Sequence, residues 1–199
     1  MNNDYIKTGR TNQKIETRSK ILVNAQYFLN NGLEFNLEDI AKRSGISRAT
    51  IYRYFSNVDI LAAEAGLDVN TKSSETIFEN LKGRTLEQRI LEIQDYYNTL
   101  AIDHEMLFRK YISAVLDSST QTPKRGARRK KTLQLVLEKT NYTHKEKKDL
   151  SNLLTVLMGI EPLIVTKDVC GLNNSDSTEL MKWGMELLLK GFISSKKNN

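Results

Sequence analysis

Apolar positions recur along most of the chain at intervals of three and four residues, the period of an α-helix resting on a core. In the first clear segment Ile21, Leu22, Ala25, Phe28 and Leu29 share one face, and Asn31-Gly32 closes the helix with glycine in its usual terminating place. The polar, basic residues before it, 1 to about 12, are expected to form a mobile arm. A short second helix is predicted from Asn36, which can cap it, with Asp39 in its first turn and Leu37, Ile40 and Ala41 as its apolar stripe. Ser44-Gly45 then makes a tight turn, Ser47 can cap a third helix, and Ser56 with Asp59 resembles a capping-box start to a fourth. Further helices are expected over roughly 57–81, 85–103, 104–118, 125–141, 145–168 and 176–195. They part at Lys82-Gly83, at STQTP, at Asn141–Thr143 and at Gly171–Ser175, and the SSKKNN tail is expected to fray.

The third helix, within GISRATIYRYFSN (45–57), does not fit a simple amphipathic pattern. At about 100° per residue, Ile51 and Phe55 fall together on the buried side. Ala49 and Arg53 point the opposite way, flanked by Thr50 and Tyr54 on one side and by Arg48 and Tyr52 on the other. More than half the circumference therefore offers a small residue, hydroxyls and guanidinium groups. Such an arc suits a DNA groove, where Ala49 permits close approach and its neighbours meet bases and phosphates. Three helices with a short turn between the second and third read as a helix-turn-helix unit.

Composition narrows the reading. Two prolines in 199 residues favour long helices over an all-β fold, and 39% hydrophobic with 27% charged residues fits a folded chain. A net charge of +6 favours polyanionic partners. Cys170 is the single cysteine, so no disulfide forms within the chain; it is expected to be a small buried hydrophobe. The N-terminus lacks the apolar stretch of a secretory signal, and LLTVLMGIEPLIV (153–165) is too short to span a bilayer, so a soluble, cytoplasmic protein is expected, without a membrane partner. His104 and His144 have no neighbours at metal-ligand spacing, and no nucleophile elbow or phosphate loop appears; no metal, cofactor or enzymatic activity is expected.

The stretches TRSKILVNAQYFLNNG and DIAKRSGISRATIYRYFSN resemble the tetracycline-repressor (TetR) family of bacterial one-component regulators. Fainter likeness returns in GIEPLIVTKDVCGLNNSDSTELMKWGMELLL, which looks like the last two helices of many such regulators. The resemblance implies an all-α homodimer. Its N-terminal three-helix helix-turn-helix DNA-binding domain (here 1–56) precedes a C-terminal helical ligand-binding and dimerisation domain (57–199). It also implies a palindromic double-stranded operator and a small-molecule effector that changes the spacing of the two heads. Carried over by position, Arg48, Ala49 and Thr50 match the base-reading segment, while Tyr52, Tyr54 and Thr17 match backbone-contact positions; Asn36, Ser47 and Arg53 complete the candidate DNA-binding set. The chain departs from the family in having Tyr54 where His is frequent, Val58 where Lys is common and Leu37 where many relatives have Thr. Lys7, Arg10, Lys14, Arg18 and Lys20 of the arm are expected to replace those phosphate contacts from a neighbouring minor groove.

Tyr96, Tyr97, Met106, Phe108, Tyr111 and Met158 lie on apolar stripes and are expected in the core, with Tyr97, Met106, Phe108, Tyr111 and Met158 as candidates to line a pocket. Glu161, a carboxylate within an apolar stripe, is placed at the dimer seam, in the pocket or turned outward, and Pro162 should kink its helix. Leu180, Trp183, Leu187 and Leu188 form a stripe assigned to the subunit interface. KRGARRKK (124–131) reads as a solvated face or a source of inter-helix ion pairs, with an anionic effector or a further DNA contact as the alternative. The function expected is a transcriptional regulator, specifically a repressor released by its effector. A DNA-binding organiser or partner-controlled adaptor of the same fold, with no effector pocket, is the rival.

Overall fold

The computed structural model describes the backbone of residues 3–117 and 127–197. Among these residues there is no strand. The helices are α1 (Asn3–Asn30), α2 (Leu37–Ser44), α3 (Arg48–Tyr54), α4 (Val58–Asn70), α5 (Ser74–Asn80), α6 (Leu86–Asp103), α7 (Glu105–Asp117), α8 (Arg128–Leu137), α9 (His144–Val156), α10 (Ile160–Ile164) and α11 (Asn174–Lys197), with a π-helical turn Val165–Val169 after α10. The fold is all-α, as the periodicity predicts. The chain divides into two compact units: Met1–Asn70 with Met106–Lys124, and Thr71–Glu105 with Arg125–Asn199. The structural division thus falls later than the sequence boundary at 56/57, because α4 lies along α1 and α7 adds Tyr111 and Val115 to the same core.

In the first unit the core is built as the pattern demands: Ile21, Leu22 and Ala25 meet Leu37, Ile40 and Ala41, and Ile51 and Phe55 close over them. Asn36 caps α2 through a reciprocal pair of hydrogen bonds with Asp39, each 3.0 Å. Gly45 takes the left-handed backbone (φ 66°) that the turn into α3 requires. Some expectations fail locally. Residues 3–12 do not form an arm but continue α1, since they hold only Gly9 to interrupt a run otherwise free of breakers. Leu29 is 39% exposed rather than buried. Asn57, not Ser56, caps α4, accepting from the Ile60 amide at 2.8 Å. The helix expected over 57–81 breaks at Thr71–Ser73, where Ser73 accepts from the Thr76 amide (3.0 Å) and restarts the chain as α5.

The second unit is a helical bundle whose central feature is another break, between α9 and α10. Gly159 there has φ 84°. The backbone groups freed by the break find partners on α6 and α8. Gln94 Nε2 donates to the Leu157 and Met181 carbonyls, both at 2.8 Å, and the Gly159 amide donates to Asn98 Oδ1 at 2.8 Å. The Arg129 guanidinium donates to the Met158 carbonyl and pairs with Glu161 at 2.7 Å. The kink expected at Pro162 therefore lies before it: proline sits in the first turn of α10, where a missing amide hydrogen costs nothing. By length and composition His144–Val169 is apolar enough to cross a membrane, yet the Gly159 break interrupts it, and 44% of its most apolar window is buried within the protein. Cys170 is exposed, contrary to expectation, because it lies just past the π-helical turn at the surface.

Candidate nucleic-acid interface

The outward face of α3 follows from the way its ends are fixed. Ser47 accepts from the Thr50 amide (3.3 Å) and donates to Thr50 Oγ1 (2.9 Å), so both hydroxyls are engaged in starting the helix. Ile51 (0% exposed) and Phe55 (1%) are sunk in the core, and the Arg18 guanidinium covers the Phe55 ring at 4.6 Å. With that side anchored, Arg48, Ala49, Tyr52 and Arg53 are exposed, and Thr50 and Tyr54 are half-buried. Tyr54 packs partly against the core, and Arg53 stacks over it at 5.7 Å. The face carries no acidic residue of its own, and Lys42 and Arg43 add positive charge at the end of α2.

Other predicted DNA-binding residues have structural duties. Asn36 and Ser47 are exposed but serve as caps. Thr17 is half-buried and donates to the Gln13 carbonyl (2.8 Å) one turn back. Arg18, grouped with the arm's basic residues by sequence, makes hydrogen bonds of 2.5–3.0 Å to both carboxylate oxygens of Glu64 on α4. It is a brace inside the first unit, not a free cation. Sequence reasoning missed Glu38. This carboxylate in the first turn of α2 pairs with Arg48 and accepts from the Tyr52 hydroxyl at 3.4 Å.

Three pocket candidates lie in the first unit. Tyr111 is buried with its hydroxyl 3.4 Å from Glu64, Phe108 is half-buried, and Met106 is 80% exposed, at the end of its stripe rather than in the core. The other three lie in the second. Met158 is buried, Glu161 is held by Arg129, and the Tyr97 hydroxyl shares a hydrogen bond with Thr132 at 3.0 Å. Burial pushes the Tyr97 phenol up to about 12. None of the six lines the groove of about 390 Å³ in this unit, which is formed by Gln88, Leu91, Glu92, Gln94, Asp95, Asn98, Thr178 and Lys182. Of the interface candidates, Leu180, Trp183 and Leu187 are 40%, 59% and 49% exposed, whereas Leu188 is half-buried. The described part of the basic cluster is largely paired within the unit. Arg129 holds Glu161, Lys131 holds Glu75 at 2.6 Å, and Arg128 reaches the Thr71 carbonyl at 3.5 Å. Lys124, Arg125 and Gly126, with the predicted break at STQTP, lie outside the described residues. Among the described residues no group of three or more His, Cys, Asp or Glu could hold a metal ion.

A helix-turn-helix whose second helix presents cationic and aromatic side chains around a small residue defines a DNA-binding protein. Residues 25–65, from the middle of α1 into α4, match the family of bacterial regulatory proteins, tetR family. The chain thus carries a DNA-binding domain of the tetR type, and that domain supports a DNA-binding transcriptional regulator. No curated protein matches it.

Proposed function

We propose that the protein is a homodimeric, cytoplasmic repressor that reads a palindromic operator and releases it when a small molecule binds the second unit. The observation that carries this reading is the exposed α3 arc of Arg48, Ala49, Tyr52 and Arg53 held on a buried Ile51–Phe55 base. In this reading Arg48, Ala49 and Thr50 face base edges, with Tyr52, Arg53 and Tyr54 towards the backbone, where contacts set register more than sequence. Asn36, Ser47 and Thr17 contribute mainly by fixing their helices. Dimerisation is supported by Leu180, Trp183 and Leu187, which leave an apolar stripe on α11 open to solvent. An effector is supported by the groove beside Gln94 and Asn98, whose volume lies within the usual range for small ligands, about 300–1,000 Å³. Ligand binding shifts the dimer only by its differential affinity for the operator-competent and released states.

Nuclease footprinting on the DNA upstream of the protein's own reading frame tests the reading. Two protected half-sites, centred about one DNA turn (~34 Å) or a multiple apart, are expected. Protection of a single half-site, or none, contradicts the dimeric operator reader. If footprints form and no metabolite mixture releases them, the organiser or partner-controlled adaptor takes its place.

A further inference from the structure

Glu38 sets a carboxylate among the groups meant for DNA. It lies next to Leu37, whose burial anchors the start of α2. From there it pairs with the Arg48 guanidinium and accepts from the Tyr52 hydroxyl at 3.4 Å, and these two partners stand one turn apart on α3. An acidic group here repels phosphates, so it lowers affinity for any DNA. Helix-dipole compensation accounts for it poorly, since Asp39 already supplies the acidic partner of the capping box.

We infer that Glu38 is a specificity-determining residue, a competitor that yields Arg48 to a neutral base edge in preference to a phosphate. The inference rests on the proposal that Arg48 reads bases. A phosphate, bidentate like the carboxylate Arg48 already has, gains little by the exchange and sets its own charge against Glu38. A guanine edge takes the guanidinium on O6 and N7 and brings no anion up to Glu38. Glu38 thus penalises random sequence more than operator, which is how discrimination is built by weakening the wrong complex. Tyr52, held by the same carboxylate, is kept from loose phosphate contacts in the same way.

The test is fluorescence anisotropy of wild type and Glu38→Gln on the footprinted fragment and on a shuffled one, across a salt series. Glu38→Gln is expected to tighten binding to shuffled DNA roughly two- to fivefold, the range of an exposed ion pair, with a steeper salt dependence. Operator binding should gain less, so the preference ratio falls. In an Arg48→Ala background the same substitution should leave the ratio unchanged. A wild-type preference that Glu38→Gln preserves or raises overturns the inference alone. Equal wild-type binding to both fragments overturns base reading itself and takes the inference with it. A drop in melting temperature with an unaltered ratio assigns Glu38 a purely structural role and also overturns it.

Discussion

Phe55 and Arg53, two residues apart, show how differently neighbouring side chains serve one surface. Phe55 is a largest-class core residue under the Arg18 guanidinium. Its truncation to Ala should remove about 3–5 kcal/mol of stability, visible in thermal or denaturant unfolding, and DNA binding should fail only because the domain fails. Arg53→Ala, at an exposed position, should leave the melting temperature nearly unchanged and weaken binding to all sequences alike. This division was legible in the sequence, because a 100° step per residue separates the Ile51–Phe55 side from the Ala49–Arg53 side. The Glu38 and Arg18 pairings were not, because each joins two helices and depends on the angle of a turn. A further residue-scale consequence concerns Glu146, whose carboxyl is lowered to about 2 by Lys196 and by the Thr143 amide and hydroxyl. Because its folded pKa lies below the ordinary carboxylate value, its contribution is present above that value and disappears as pH falls towards 2. A carboxyl-detected NMR titration should find it still ionised below the ordinary carboxylate range, and Lys196→Gln should move its midpoint up.

Elements were predicted well where their ends are marked locally and poorly where the mark is remote. Caps at Asn36 and Ser47, the Gly45 turn and the break at Asn141–Thr143 are written in adjacent residues. The break between α9 and α10 is not: its apolar period runs on through LLTVLMGIEPLIV, and its partners are remote in sequence, Gln94 and Asn98 on α6 and Arg129 on α8. Gly159 is the weak point of that arrangement. An added Cβ would lie 2.7 Å from Arg129 Nη1, on a backbone already at φ 84°. Gly159→Ala should therefore cost about 1–3 kcal/mol and lower the melting temperature by several degrees, with the Arg129–Glu161 pair displaced. Retention of the full melting temperature would show that the break is not held in this form.

For the whole molecule, the apolar stripe of Leu180, Trp183 and Leu187 decides whether two DNA-binding heads act together. Trp183→Glu should convert a dimer into a folded monomer by analytical ultracentrifugation, with helical circular dichroism intact, and should reduce operator affinity far more than affinity for random DNA. An unchanged sedimentation coefficient would place the interface elsewhere. The assignment of that stripe came from sequence spacing, which identifies a helix face without saying what covers it; Leu188, taken with it, is half-buried instead. Ligand-pocket residues were less legible, since apolar stripes serve cores and cavities alike, and the groove in the second unit is lined mostly by polar side chains.

The most direct test of sequence-specific regulation by α3 is an anisotropy titration of the purified protein on its own upstream DNA and on a shuffled fragment at physiological salt, repeated with Arg48→Ala. The account predicts a large preference for the native fragment, and its loss in Arg48→Ala without loss of folding. Equal binding to both fragments, vanishing as salt rises and indifferent to Arg48, would reduce the interaction to counterion release and contradict it.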